Sequence, residues 1–459
     1  MANRNHTVVV GLGATGLSVA RFLQREQEPF TLMDSRDNPP NWAIIAEEFP
    51  GIDCITGELD ADLLKAATEI VVSPGLNLQT PAIKSATENG VKAIGDIELF
   101  TRYQAKKHTA KTAIPVVAIT GSNGKSTVTT LVGQMAYDAG INVAVGGNIG
   151  IPVLDLLTDS KQVDLYVLEL SSFQLETTYS LQAEVATVLN VSADHMDRYD
   201  SLHTYALVKQ SIYRGARWSI INRQDPLTYS PYKSLTGELS FGLDKPGINE
   251  FGLSIIDGKK FLTHQQQPLI AVTELSLQAG HYYANVLAAL AIGSALGIAM
   301  DAMLLTVKKF RGLRHRCEYV LSHKRVKYIN DSKGTNVNAT KAALEGIGHE
   351  CIEQGRKIVL IAGGDSKNAD ISSLLPVFRK YLRRLIVMGK DADKFLTIVD
   401  KIIPCQRVDS IINAVAAAQN YALAGDVVLL SPACSSLDMF VNFEDRGDQF
   451  VQAVYKAAA

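Results

Sequence analysis

Val116-Val117-Ala118-Ile119-Thr120-Gly121-Ser122-Asn123-Gly124-Lys125-Ser126-Thr127 decides the fold at the centre of the chain. Val116 to Ile119 predicts a buried strand, and the glycine-bearing segment after it opens a helix. A strand, a Gly-rich turn and a helix starting Lys-Ser make a phosphate loop: backbone amides cradle phosphates, Lys125 neutralises the β/γ charge, and Ser126 can ligate Mg²⁺. The strict pattern G-x-x-x-x-G-K-[ST] is not met, because Ile119 stands where its first Gly belongs. A Gly-rich turn with a solvated lysine is the alternative reading.

The same strand–turn–helix grammar recurs on either side. Upstream, Thr7 to Val10 reads as a short strand running into Gly11-x-Gly13-x-x-Gly16 and a helical pattern from Leu17 to Leu23. A second strand, Phe30 to Met33, ends at Asp34, near the spacing of a ribose-binding acid. NAD is the obvious ligand, yet any nucleotide diphosphate satisfies the same physics. Val71-Val72-Ser73-Pro74-Gly75 reads as a later strand of that sheet, and the polar stretch 101–115 as a linker. Downstream, Leu165 to Glu169 and Val185 to Val191 predict strands, and a long apolar helix lies near Asn285 to Leu296. A third restart after Gly312 carries strands at Lys357–Ile361, Leu385–Met388 and Val427–Leu430. Strands alternating with helices throughout predict open α/β sheets.

Composition is that of an ordinary globular protein, with 47% hydrophobic and 20% charged residues. At roughly 100–200 residues per domain, 459 residues allow two to four domains. A net charge of -2 supplies no global attraction for nucleic acid or an anionic membrane. Five scattered cysteines without C-x-x-C argue against a disulfide framework or zinc site. With no signal-peptide pattern or spanning apolar stretch, the cytoplasm is the expected location.

Further constellations stand at predicted strand ends. Glu169, followed by Ser171-Ser172-Phe173-Gln174, places a carboxylate where open sheets bind ligands and suits Mg²⁺. Asp194-His195 adds an imidazole. Asn330-Asp331-Ser332-Lys333-Gly334-Thr335-Asn336, Gly363-Gly364-Asp365-Ser366-Lys367 and Ser431 to Asp438 supply lysines and hydroxyls able to hold a small carboxylate. Taken singly, each also reads as a polar loop.

Together these segments resemble the Mur ligase family over nearly the whole chain. TGSNGKST (120–127) is similar to that family's variant phosphate loop. LELSSFQLET (168–177), LNVSADHMDRY (189–199), NDSKGTN (330–336) and SPACSSLDMFVNFEDRG (431–447) are similar to its D-glutamate-adding branch, as is the GLGATG opening. The resemblance implies three consecutive α/β domains. These are a Rossmann-like UDP-binding domain (1–104), a central P-loop-type ATPase sheet binding ATP and Mg²⁺ (105–312), and a Rossmann-like D-glutamate domain (313–459). By resemblance, Thr15, Asp34, Ser35, Arg36, Ser73, Gly75, Asn148, Ser171 and His195 bind the UDP substrate. Gly121 to Thr127 (Gly121, Ser122, Asn123, Gly124, Lys125, Ser126, Thr127) with Asn285, Arg316 and Asp331 bind ATP. Lys333, Thr335, Lys367, Ser436, Leu437 and Phe443 bind D-glutamate.

The implied reaction forms an amide. ATP phosphorylates the carboxylate of UDP-N-acetylmuramoyl-L-alanine to an acyl phosphate, and the amine of D-glutamate displaces phosphate, a cytoplasmic step of peptidoglycan precursor synthesis. Lys125, Glu169, His195 and Lys209 would be catalytic. Ser126, Glu169, His195 and Lys209, the last as a carbamate, would hold two Mg²⁺ ions. The implied chain is monomeric, with small-molecule substrates and neither nucleic acid nor membrane as partner. Two positions depart from the family: Tyr282 replaces Asn in His281-Tyr282-Tyr283-Ala284-Asn285, and Arg314 replaces Pro in Leu313-Arg314-His315-Arg316. Rival readings are a folylpolyglutamate-synthetase-like ligase, an NAD-dependent oxidoreductase using the first domain, and a nucleotide sensor without chemistry.

Overall fold

The computed structural model describes residues 6–109, 112–158, 162–275, 280–367, 369–399 and 402–458. Three α/β sheets follow one another along the chain. The first is wholly parallel. Thr7–Val10 lies between Phe30–Asp34 and Glu69–Val72, with Cys54–Thr56 and Lys92–Ile94 at the edges. The chain winds outward from the central strand in both directions, which leaves a crevice at its carboxyl end. Gly16 lets the following helix approach that strand, since a Cβ there would lie 1.9 Å from the Gly11 carbonyl oxygen.

In the second sheet, Val116–Thr120 lies between Leu165–Glu169 and Val185–Val188. Val143–Gly147 closes one edge, while Trp218–Asn222, Gly237–Phe241 and Glu250–Ile256 continue the other, all parallel. Two antiparallel strands, Lys259–His264 and Gln267–Ala271, complete nine. The expected phosphate loop therefore sits at a switch point, where neighbouring strands depart to opposite sides. The helix Gly280–Ala295 begins five residues before its predicted start and buries Val286 to Ile292 completely. It is apolar on all sides because it is covered on all sides, and it packs against the phosphate-loop helix Lys125–Asp138.

The third sheet sets Val427–Leu430 between Val326–Asn330 and Ile358–Gly363, with Leu382–Met388 and Cys405–Arg407 beyond, all parallel. Glu318–His323 forms an antiparallel edge.

Two expectations need correction. The stretch 101–115 is not all linker: a helix, Asp96–Lys107, runs through its first half, and Ala110 and Lys111 lie outside the described residues. The strand predicted from Val185 to Val191 stops at Val188. Beyond it Asn190 turns to the phosphate loop, accepting from the Asn123 amide at 2.8 Å and donating to the Asn123 carbonyl at 3.0 Å.

Candidate active site

The phosphate loop is built for an anion. Gly124, at φ +83°, is the N-cap of the Lys125–Asp138 helix and has no side chain to satisfy the helix's first amides. A Cβ at Gly124 would lie 2.4 Å from Asn285 Oδ1, so the buried helix reaches the loop from behind. Ser122 Oγ accepts from the Ser192 amide and donates to the Ser192 carbonyl, both at 3.0 Å. Loop and neighbouring strand end are thus stitched by Ser122, Asn123 and Asn190. Lys125 Nζ curls over its own loop, donating to the carbonyls of Gly121 (2.9 Å) and Ser122 (3.2 Å). Surrounding protein lowers its pKa and Arg316 adds to that, while Glu169 and Asp194 oppose it.

Glu169 is buried at the carboxyl end of its strand. Its Oε1 accepts from Asn148 Nδ2 at 2.7 Å, but its buried Oε2 has no hydrogen-bond partner. Burial alone would raise its pKa; the Lys125 ammonium, then the nearby Ser126 hydroxyl, Asn148 and Arg316, hold it below the usual value. A charged oxygen held inward without a donor fits a cation ligand. His195 sits at φ +56°, left-handed for a residue with a side chain, and its ring packs edge-on to Phe173 at 4.7 Å. Burial lowers its pKa against the pull of Asp194, leaving a neutral imidazole near pH 7 whose nitrogen can bind a metal. Among the described residues, no three His, Cys, Asp or Glu side chains are grouped as a ready-made metal site.

Lys209 is not a solvated helix-surface lysine. It lies in the last turn of the helix Leu202–Gln210 and is 1% exposed. Its Nζ donates to the Gly121 carbonyl at 3.1 Å and lies 4.5 Å from the centre of the Tyr205 ring. Burial, then the nearby Lys125 charge, pushes its pKa well below the ordinary value. Burial thus disfavours the ammonium form of this amine beneath the phosphate loop.

The C-terminal domain closes over this site. Arg316 donates to Ser126 Oγ at 2.6 Å, so the hydroxyl expected on Mg²⁺ is engaged by a residue from the other side of the cleft. Asn336 donates to Asp194 Oδ2 at 3.1 Å. One cavity gathers Lys125, Glu169, Ser171, His195 and Lys209 with Lys333, Thr335 and Lys367. Burial, then Arg316 and Lys125, draws the pKa of Lys333 down to about 8. Ser436, Leu437 and Phe443 are not among this cavity's lining residues. Ser436 is buried, Leu437 is 72% exposed, and Phe443 lies under the Lys333 ammonium at 3.8 Å.

A second cavity adjoins the first around Gly124 and Thr127, lined also by Asn285, Arg316 and Asp331. Asn190, Asn222, Phe241 and His281 line it too, and the sequence reading missed them. A polar residue at or just past the end of a buried strand, as Asn222 and Asn190 are, was the available signal. A third cavity, at the carboxyl end of the first sheet, is lined by Thr15, Asp34, Ser35, Arg36, Ser73, Gly75 and Asn148. Asn148 lines both this cavity and the cleft around Lys125. Asp34 is already committed: its Oδ2 accepts from the Leu12 amide (2.6 Å) and Arg36 (2.7 Å), and its Oδ1 from the Arg36 amide and Nε.

A phosphate loop, a buried carboxylate with one free oxygen and an amine-lined cleft on three α/β domains define an ATP-dependent ligase. Comparison with known proteins gives the particular family. Residues 5–95 match the Mur ligase MurD-like N-terminal domain, 119–293 the Mur ligase middle domain, and 315–434 the Mur ligase glutamate ligase domain. The chain is 51% identical over 451 residues to UDP-N-acetylmuramoylalanine–D-glutamate ligase of Pseudomonas syringae pv. tomato, covering 97% of each. It is 49% identical to the enzyme of that name from Pseudomonas aeruginosa, over 100% of this chain and 99% of the other. The solved UDP-N-acetylmuramate-alanine ligase of Thermotoga maritima shares the fold at TM-score 0.61 and 17% identity, over 99% of this chain and all of that one. The chain belongs to the Mur ligase family, whose members are ATP-dependent amide-bond-forming ligases using Mg²⁺.

Proposed function

We propose that this chain joins D-glutamate to UDP-N-acetylmuramoyl-L-alanine at the expense of ATP, in the cytoplasm and as a monomer. The observation that carries the reading is the single cleft in which Lys125, Glu169 and His195 face Lys333, Thr335 and Lys367 across two domains. The domain limits 1–104, 105–312 and 313–459 follow from the same reading. The near full-length likeness to relatives named for this reaction supports the substrate choice.

Two anions, a carboxylate and a γ-phosphoryl group, must meet, so positioned cations carry much of the catalysis. Lys125, which now caps its own loop carbonyls, turns to the phosphates when they occupy the loop, and Arg316 neutralises charge from the opposite wall. Ser126 and Glu169 would hold one Mg²⁺, and His195 with a carbamylated Lys209 a second; the unpartnered Glu169 Oε2 fits this role. Such ions screen the phosphate charge and polarise the transferred group. With its ammonium form disfavoured by burial, the Lys209 amine would attack CO₂, release a proton, and become an anionic ligand. Lys367 and Lys333 pair with the carboxylates of the incoming amino acid, and Thr335 and Ser436 hydrogen-bond to it. Its amine then attacks the acyl phosphate and phosphate leaves.

The first sheet would take UDP rather than NAD. Asp34, the acid a dinucleotide needs for its ribose, is spent on Leu12 and Arg36, and in doing so fixes the Arg36 guanidinium at the rim of the cavity. The decisive assay measures phosphate release with UDP-N-acetylmuramoyl-L-alanine, ATP, Mg²⁺ and a panel of D- and L-amino acids. Release that depends on D-glutamate is expected; release equal for all amino acids, or none, refutes the reading.

A further inference from the structure

The side chain of Arg446 is among the largest that are fully buried, at 1% exposed, and the reaction scheme does not use it. Its three hydrogen bonds go to neutral oxygens. Nε donates to Ser332 Oγ (3.0 Å), one terminal nitrogen to the Ser332 carbonyl (2.8 Å), and the other to the Cys434 carbonyl (3.2 Å). A buried cation whose hydrogen bonds all go to dipoles is an expensive way to fill a core. What it touches explains its presence.

Ser332 and Cys434 lie on separate loops after separate strands, Val326–Asn330 and Val427–Leu430. Lys333 and Thr335 follow the first contact; Ser435 and Ser436 follow the second. Ser332 Oγ also donates to the Phe443 carbonyl at 2.8 Å, and the Phe443 ring carries the Lys333 ammonium at 3.8 Å. The third loop hangs on the second. Ser435 and Asp365 exchange both backbone hydrogen bonds, at 2.8 and 3.1 Å, and Asp365 Oδ1 accepts from the Lys367 amide. Arg446 therefore ties together the three loops that carry Lys333, Thr335, Ser436 and Lys367, two directly and the third through the Cys434–Ser435 backbone.

We infer that Arg446 is a positioning residue for the amino-acid pocket, setting the spacing of its lysines and hydroxyls without touching the substrate. The planar guanidinium suits this role because its fork reaches two loops at fixed separation, which a lysine cannot do. The inference rests on the functional reading above for the identity of the pocket.

The test compares kcat and the KM of each of the three substrates in wild type, Arg446→Met and Arg446→Lys, with thermal melting alongside. Arg446→Met should raise the KM for D-glutamate about ten-fold or more, as expected for losing charge-assisted hydrogen bonds. The KM for ATP and for the UDP substrate should stay within about two-fold, and Arg446→Lys should recover part of the loss. An unchanged KM for the amino acid overturns the inference. So does a parallel rise in all three KM values with a lowered melting point, the mark of a merely structural residue. If Arg446→Met does not fold, Arg446→Lys is read against the same two refuting outcomes. Failure of the functional reading is separate: wild type would turn over with another amino acid, and the Arg446 comparison would be made with that one.

Discussion

The central domain meets its two neighbours in opposite ways. Against the N-terminal domain it shares a hydrophobic core: Val9, Phe22, Ile97 and Phe100 belong to one buried cluster with Val116, Tyr166, Leu168 and Ala186. Phe100 and Tyr166 meet edge-on at 5.0 Å. Glu98 accepts from the amides of Tyr179 and Ser180 and the Ser180 hydroxyl at 2.8–2.9 Å, and from Arg102 at 3.0 Å. Against the C-terminal domain there is no shared core among the described residues; the apolar clusters on the two sides are separate. The described polar links there include Arg316 to Ser126 and Asn336 to Asp194, and Arg316, Asn336 and Asp194 also line the cleft. An interface like a domain interior holds the UDP cavity rigidly to the phosphate loop. An interface of functional groups around a cleft lets substrates enter and the domains close on them. Substitutions at the first should cost stability; at the second they should cost turnover.

Lys125→Ala gives the largest expected effect, a fall in turnover of ~10²–10³ with folding intact, the scale of losing one aimed stabiliser. Phosphate release and circular dichroism check it; near-normal turnover in a folded variant would contradict the phosphate-loop assignment. Lys209→Ala should lose most activity, and a small carboxylate such as acetate should restore part by occupying the vacated ligand position. Lys209→Arg should be inactive and not rescued, because its charge persists. Full activity of Lys209→Ala without added carboxylate would end the carbamate idea.

Glu98→Ala tests the other side of the comparison. Removing a buried carboxylate that satisfies several donors should cost about 3 kcal/mol of unfolding free energy. Denaturant melts should report that loss while KM for D-glutamate stays level; the reverse pattern would mean the two interfaces are not distinct.

The same interface should respond to pH through Asp96. Burial raises its pKa to about 6, against the pull of its hydrogen bonds from Gln174. The native state then binds the extra proton between about pH 4 and pH 6, so stability from this group is present below that window and falls as pH rises through it. Asp96→Asn should therefore stabilise the protein at pH 8, by up to about 3 kcal/mol at 1.36 kcal/mol per pKa unit, and hardly at pH 4. An equal effect at both would contradict the assignment.

Asn336→Asp should have the smallest effect on stability, below about 1 kcal/mol, since the acid can still cap the Val337–Glu353 helix. It sets a second carboxylate against Asp194, however, and should favour the open cleft. Small-angle scattering should detect a larger radius of gyration without substrates; no change would show that Asn336 does not latch the domains.

Much of the chemistry was legible locally. A strand, a Gly-rich turn and a lysine specify a phosphate loop because the backbone geometry needs only adjacent residues. Glu169 could be read for the same reason, as the last residue of an apolar strand. The helix Asp96–Lys107 was half misread as linker because its polar residues look solvated. Glu98 and Asp96 are buried only because residues some eighty positions later supply their donors. The sequence by itself determined which segments become strands, turns and anion-binding helix starts, since these depend on near neighbours. The tertiary structure alone decided that Glu169 keeps an empty acceptor, that Lys209 is buried with its pKa pushed down, that Asp34 is spent on Arg36, and that Arg446 binds two loops. Each of those is a matter of desolvation and of partners brought from far along the chain, and only the packed fold supplies either.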